Sequence, residues 1–456
     1  MNQNWIMVID FLWLSLFIGI GVFFKRKVYF FRKFLFPTAI IAGFIGLILG
    51  PEVLDIIQLD NERLGRLVYH LMAVGFISIA LKKREHIHSR EILNSGIYIV
   101  SIYVFQGIIG FAISLLLVNT IFPGLFPAFG LLLPLGFGQG PGQAYAIGSQ
   151  WEEIGFFQGG NIGLSIATIG FLWACIFGVI LMNYLIKKSI FKLEKDRVYP
   201  KKEKILEEMD SGELPLAASL DDISIQLFLI GLVYLITYLT LLGLDSLLTP
   251  LGTFGETLGQ LFWGFHFIIG TVYAILLRLF FNLFKKMKIM SHEYLNSYML
   301  QRIAGGCFDF MIAAAIAAIS LKTLRYYLVP TLLITSVGGI MTIIFILWMT
   351  RRVFKDDIFE NTVAFYGTYT GTISTGMALL KQIDPGFHSG ASENIVLGSG
   401  VALIFGFPLM VILNIPIFGY VTGQPIMYLV TMIAFLVYFS ILYVILYKNR
   451  PKKQDY

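Results

Sequence analysis

Long apolar runs alternate with short polar punctuation along almost the whole chain. Runs from Trp5 to Phe24, Phe34 to Gly50, Leu64 to Leu81, Ile92 to Val118 and Gly159 to Ile186 fill the first part. Runs from Ile223 to Leu242, Thr257 to Phe281, Ile303 to Leu321, Tyr327 to Met349, Asn394 to Phe418 and Ile426 to Tyr447 fill the rest. Each is near the ~20 residues that a helix needs to cross ~30 Å of hydrocarbon. The pattern predicts about eleven membrane-spanning helices and no sheet. The first run is too long for a signal-peptide core and has no basic leader, so it reads as a retained span.

Two segments break this rhythm in the same way. Residues 126–151 contain Gly136-Phe-Gly-Gln-Gly-Pro-Gly-Gln143, and residues 361–384 contain Gly367-Thr-Tyr-Thr-Gly-Thr-Ile-Ser-Thr-Gly376. Each follows four apolar runs and precedes a fifth. Unwound backbone has no partners in lipid, so it survives at membrane depth only inside protein or along a polar cavity. Both segments therefore read as re-entrant hairpins or broken helices. A matched pair of such breaks points to a transporter's binding site. The predicted architecture is two five-span repeats of inverted topology, 1–186 and 223–418. A cytoplasmic linker, 187–222, joins them, and an extra C-terminal span with a basic tail, 419–456, follows. Ile77-Ser-Ile-Ala-Leu-Lys82 and Ala317-Ala-Ile-Ser-Leu-Lys322 resemble one another at the ends of the third and eighth spans, which supports the duplication.

Composition agrees with a membrane solvent. The 456 residues are 57% hydrophobic and 14% charged, against about 25% charged in soluble domains. Lys25, Arg26, Lys27, Arg32, Lys33, Lys82, Lys83, Arg84 and Arg90 fall in alternate loops, as do Lys285, Lys286, Lys288, Arg351, Arg352 and Lys355. The bias predicts an N-terminus outside and a C-terminus in the cytoplasm, in the cell (inner) membrane. The first hairpin then enters from outside and the second from inside. The net charge of +6 is an orientation signal and asks for no nucleic acid. Cys175 and Cys307 lie in apolar runs and say nothing about redox compartment.

Glycine at the first break permits sharp turns and close approach to a ligand, and Pro141 removes a backbone donor. Gln139, Gly140, Pro141, Gly142, Gln143 and Tyr145 are the candidate binding residues there. At the second break they are Gly371, Thr372, Ser374 and Thr375, whose hydroxyls suit Na⁺ or a carboxylate. Half-helix N-termini favour an anionic group, and freed carbonyls can hold Na⁺. Asp309 is an intramembrane carboxylate and a candidate ion ligand or proton carrier. His70 and His266 read as satisfied interior histidines, and Lys381 either approaches an anionic substrate or reaches the cytoplasmic surface by snorkelling. No His-Glu-x-x-His pair or Gly-Lys-Ser/Thr loop is present. Gly398-Ser-Gly400 has no histidine partner and reads as helix packing, so no enzyme is expected.

The segment Gly136 through Lys188 resembles the sodium/glutamate symporter family. That family carries a Gly-Gly-His-Gly-Thr hairpin followed by small residues and an aromatic. Gly138-Gln139-Gly140-Pro141-Gly142 and Tyr145 match it in outline, with Gln139 at the histidine and Pro141 at the threonine. Gly371-Thr-Ile-Ser-Thr-Gly-Met-Ala378 is similar to the family's Gly-Ala-Thr-Pro-Thr-Ala-Ile-Ala, with Ser374 at the proline and Leu379 at the following asparagine. The resemblance implies Na⁺-coupled symport of glutamate or a related small organic anion by alternating access, with no other cofactor, and a homodimer. The alternatives are a carboxylate transporter coupled to H⁺, with Asp309 carrying the proton, and an ion channel.

Overall fold

The computed structural model describes residues 3–34, 36–82, 90–187, 216–251, 259, 262–264, 266–288, 294–384 and 389–449. Among these the chain is helical throughout, with no strand. Among the described residues nine helices are long and apolar enough to span a bilayer: 8–27, 61–81, 90–119, 159–186, 223–248, 266–286, 297–317, 328–353 and 426–448. A tenth candidate is the pair Ala391–Phe405 and Phe407–Val421, bent by 51°. Pro408 at the start of the second member removes a backbone donor there, and Gly406 sits at the bend.

Two sequence expectations change. The run Phe34 to Gly50 is not a full span. Its helix is Thr38–Leu49, 12 residues, or about 18 Å. Pro37 and Pro51 bracket it and set that limit. The run Asn394 to Phe418 is not straight, for the reason just given. Of the linker, residues 188–215 lie outside the described residues, and with them the suggested short helix from Glu203 to Met209. Residues 216–222 begin the helix Leu216–Leu248. Residues 257, 258, 260, 261 and 265 of the seventh run are likewise outside them.

Contacts gather the chain into two compact units: 1–69 with 87–191 and 310–456, and 70–86 with 192–309. The smaller unit has a core of Ile77, Ala80, Leu81, Leu229, Ile230, Val233, Ala274 and Leu300. Its Arg278 donates to the carbonyls of Ala80 (3.0 Å) and Lys82 (2.9 Å). A cation there satisfies the orphan carbonyls that end the helix Asn61–Leu81.

The larger unit is built around the helix Arg90–Asn119. Small residues let its neighbours come close. Val401 of the 391–405 helix packs on Gly96, and Phe435 of the C-terminal helix Ile426–Lys448 packs on Gly107. The predicted extra span is thus part of this unit's core on one face. Its other face exposes Leu429, Ile433, Leu436 and Val444, an apolar surface suited to lipid. Asp10, buried in the first helix, pairs with Arg63 through Nε–Oδ2 (2.6 Å) and a second bond of 3.2 Å. Arg63 is part-exposed, with 28% side-chain exposure, so its removal is milder than breaking a fully buried pair. Arg63→Met is expected to cost about 2 kcal/mol, read as a lower midpoint in a detergent melt. An unchanged midpoint would show Asp10 satisfied without it.

Candidate functional site

The first break is a hairpin. A 3₁₀ turn, Phe129–Leu131, leads into the π-helical segment Pro134–Gln139, and the helix Pro141–Glu152 returns. Gly140 is the tip, with φ +96° and ψ 176°, a conformation open essentially only to glycine. Pro141 fits the first helical position, where its missing N–H is no loss. The two ends of the hairpin meet: Phe126 lies 6.0 Å from Trp151 and stacks on Phe156 at 4.6 Å. The returning arm packs on the helix Gly159–Leu172 with almost no side chain between them. A Cβ on Gly148 would strike the Gly159 carbonyl, and one on Gly163 the Ala144 carbonyl.

The second break is also a hairpin. The helix Ile358–Thr370 ends at Gly371, and the helix Ile373–Ile383 follows. The arms touch at Gly376, where a Cβ would meet the Thr368 hydroxyl and lie 2.5 Å from the Ala364 carbonyl. Both ends of this hairpin are tied to one short segment. Asp384 accepts from the Ser389 N–H (2.8 Å), and Asp357 accepts from the Gly390 N–H (3.0 Å). Glu152 does similar work after the first hairpin, accepting from the Gly160 N–H at 2.9 Å.

The two hairpins lie along the 90–119 helix from opposite ends. The first runs down from its C-terminal end. Ser114 donates to the Pro127 carbonyl (2.9 Å), Gly110 abuts Gly130, and a Cβ on Gly138 would sit 2.5 Å from the Tyr103 ring. The second runs up from its N-terminal end. Asn394 bridges Glu91 (3.2 Å) and Asn361 (3.1 Å), Tyr98 stacks on Phe365 (5.0 Å), and Tyr103 meets Tyr369 edge-on (5.7 Å). The tips therefore converge beside Tyr103 and Gln106. Gly170 marks the same meeting: a Cβ there would lie 2.5 Å from the Thr370 carbonyl and 2.8 Å from the Phe137 ring.

The candidate residues divide accordingly. Gly140, Pro141, Gly142 and Gln143 are buried at the first tip, and Gln139 is half-buried. The Nε2 of Gln139 and the Oε1 of Gln143 are buried with no hydrogen-bond partner. Gly371 sits against Ala174, 2.7 Å from where its Cβ would be. Thr372 caps the 373–383 helix: its hydroxyl accepts from the Thr375 N–H (3.3 Å) and bonds the Thr375 hydroxyl (3.0 Å). Those two hydroxyls thus hold the tip in shape. The side chain of Ser374 is outside the described residues. Tyr145 is a turn away from the tip, its ring packed against Gly65 and Gly160. Asp309 belongs to the smaller unit and is exposed on the 297–317 helix. Lys381 is exposed.

Two features were not read from the sequence. Gln106 is 1% exposed at the meeting point of the tips. The segment Trp173–Phe177 is a second π turn, and Tyr366 of the second hairpin donates to its Trp173 carbonyl at 3.1 Å. Such turns recur at functional sites because they leave backbone groups free for other bonds. The tip residues named here are neutral. They offer amide, hydroxyl and backbone groups but no fixed charge, and no metal-holding cluster of His, Cys, Asp or Glu exists among the described residues.

Fold and site together define an all-α polytopic membrane protein with two helical hairpins converging in its larger unit. Comparison with known proteins finds no matching family model, no similar curated protein and no similar solved structure.

Proposed function

We propose that the protein is a secondary active transporter, a symporter that moves a small carboxylate-bearing solute together with Na⁺ by alternating access. The observation that carries this reading is the approach of two hairpins from opposite ends of one helix to a shared, neutral polar centre. That geometry is what two repeats of inverted topology would produce, and such repeats bring discontinuous helices together at the substrate. The helices Pro141–Glu152 and Ile373–Ile383 both begin at the tips. Pro141 has no N–H and the Thr375 N–H is capped by Thr372, but the other N–H groups of the two first turns lack intrahelical partners and favour a carboxylate. The carbonyls that end the 358–370 helix supply oxygen ligands for Na⁺. Glutamate is the solute that the family resemblance implies. The orientation with the N-terminus outside, the inner-membrane location and a homodimer belong to the same proposal.

The test is uptake of radiolabelled glutamate into proteoliposomes with an inward Na⁺ gradient. Saturable uptake that K⁺ does not support is the expected result. Uptake that never saturates would favour a channel. No uptake by folded, inserted protein would reject glutamate symport.

A further inference from the structure

The centre contains a hydrogen-bond acceptor whose direction is fixed and whose partner is missing. Gln106 sits midway along the 90–119 helix and is 1% exposed. Its Nε2 donates to the Tyr369 carbonyl (2.9 Å) and to the Thr342 hydroxyl (3.2 Å). A carbonyl oxygen can only accept, so the amide atom facing Tyr369 must be nitrogen. The usual freedom to flip a glutamine amide is therefore removed. The Oε1 must point the other way. It is buried with no hydrogen-bond partner. It faces the first tip, 2.9 Å from where a Cβ of Gly138 would lie. Glycine at that position keeps the space beside the oxygen open.

A buried acceptor without a donor carries a desolvation penalty that nothing in the fold offsets. Two further unpartnered amide atoms, Gln139 Nε2 and Gln143 Oε1, belong to the same tip. Such groups call for a ligand that completes them. A buried amide oxygen is completed by a hydrogen-bond donor or by a cation, and an ammonium is both at once. We propose that Gln106 is a recognition residue of the site, presenting its amide oxygen to a monovalent cation. Within the transporter reading, on which this inference rests, that cation is the ammonium of an amino-acid substrate or the coupling Na⁺. The bonds to Thr342 and Tyr369 serve as the brace that aims the oxygen. They also join the long helix Leu328–Val353 and the second hairpin to the residue that faces the first.

Gln106→Met keeps the volume and removes the whole amide, the oxygen together with the Nε2 that donates to Tyr369 and Thr342. Thr342→Val removes one brace and keeps the oxygen. In proteoliposomes, labelled glutamate uptake is competed with unlabelled glutamate and with glutarate, which lacks the amino group, and Na⁺ is titrated. If the ammonium is the ligand, Gln106→Met weakens competition by glutamate about tenfold or more and leaves glutarate unchanged. If Na⁺ is the ligand, its half-saturating concentration rises by a similar factor while the glutamate-to-glutarate ratio holds. Thr342→Val shows a smaller change of the same kind. Wild-type behaviour on both readouts in Gln106→Met overturns the proposal and leaves the transporter reading standing.

Thermal midpoints of the purified protein in detergent supply a readout independent of transport. NaCl against choline chloride, and glutamate against glutarate, should raise the wild-type midpoint, and Gln106→Met should lose one of those shifts. A wild-type protein that takes up no glutamate would defeat the glutamate reading, and the midpoints would then decide the role of Gln106 alone: no shift in wild type, or an equal shift in the variant, overturns it. Should Gln106→Met not fold, Gln106→Asn, which withdraws the oxygen by one methylene, is read in the same way.

Discussion

Gly140→Val is expected to abolish uptake while leaving a folded protein. The tip residue holds φ +96° and ψ 176°, where a branched side chain costs about 1–3 kcal/mol. Space is not the obstacle, since a Cβ at Gly140 meets nothing within 4 Å. The strain is therefore relieved by local rearrangement of the tip, not by disruption of the core. Gln139 and Gln143 flank this residue, and their polar ends would be carried with it. Displacing recognition groups by about 1 Å can cost about a hundredfold in rate. Uptake by the variant, normalised to protein eluting as a single gel-filtration peak, checks this. Normal uptake would mean that the first tip takes no part in transport. The equivalent change at Gly371 is less clean, because a side chain there would press on Ala174 and on the Gly367 carbonyl.

The second large effect belongs to Gly376→Val, and it is a loss of stability. The arms of the second hairpin touch through this glycine. A Cβ would lie 2.5 Å from the Ala364 carbonyl and 2.9 Å from the backbone N–H nitrogen of Thr368. Backbone cannot swing aside as a flexible side chain can, so the arms must part. Overpacking of this kind costs about 1–3 kcal/mol or more. The melting midpoint should fall clearly and uptake with it. Gly305→Ala is the control: its Cβ has open space within the 297–317 helix, and its midpoint should equal or exceed wild type. Equal midpoints for both variants would mean that the arms are not in contact as described.

Both breaks were legible in the sequence because their punctuation is local. Gly140-Pro141 resists continuing a helix and Gly371-Thr372 weakens one, and a cluster of such residues inside an apolar run stands out against its surroundings. Their convergence was not legible, since it depends on where the 90–119 helix carries each hairpin. Gln106 is the instructive miss. It lies in a long apolar run that reads as an ordinary span, and a single glutamine adds little to a hydropathy window. A buried polar side chain needs partners, and asking that of Gln106 would have singled it out. The short Thr38–Leu49 helix could have been foreseen from Pro37 and Pro51. The π turns could not, because nothing in Pro134–Gln139 or Trp173–Phe177 distinguishes a π turn from an α turn. Tyr145 and Asp309 stand out by residue type, and type alone does not say which way a helix face points.

Counterflow tests alternating access most directly. Vesicles containing the purified protein are loaded with unlabelled glutamate and diluted into trace labelled glutamate, with equal Na⁺ on both sides. A site exposed to one side at a time exchanges bound solute, so label should accumulate inside above its outside concentration and then decay. Label that only equilibrates, in vesicles that do take up glutamate under a Na⁺ gradient, would contradict a shared site at the two hairpin tips opening alternately to each side.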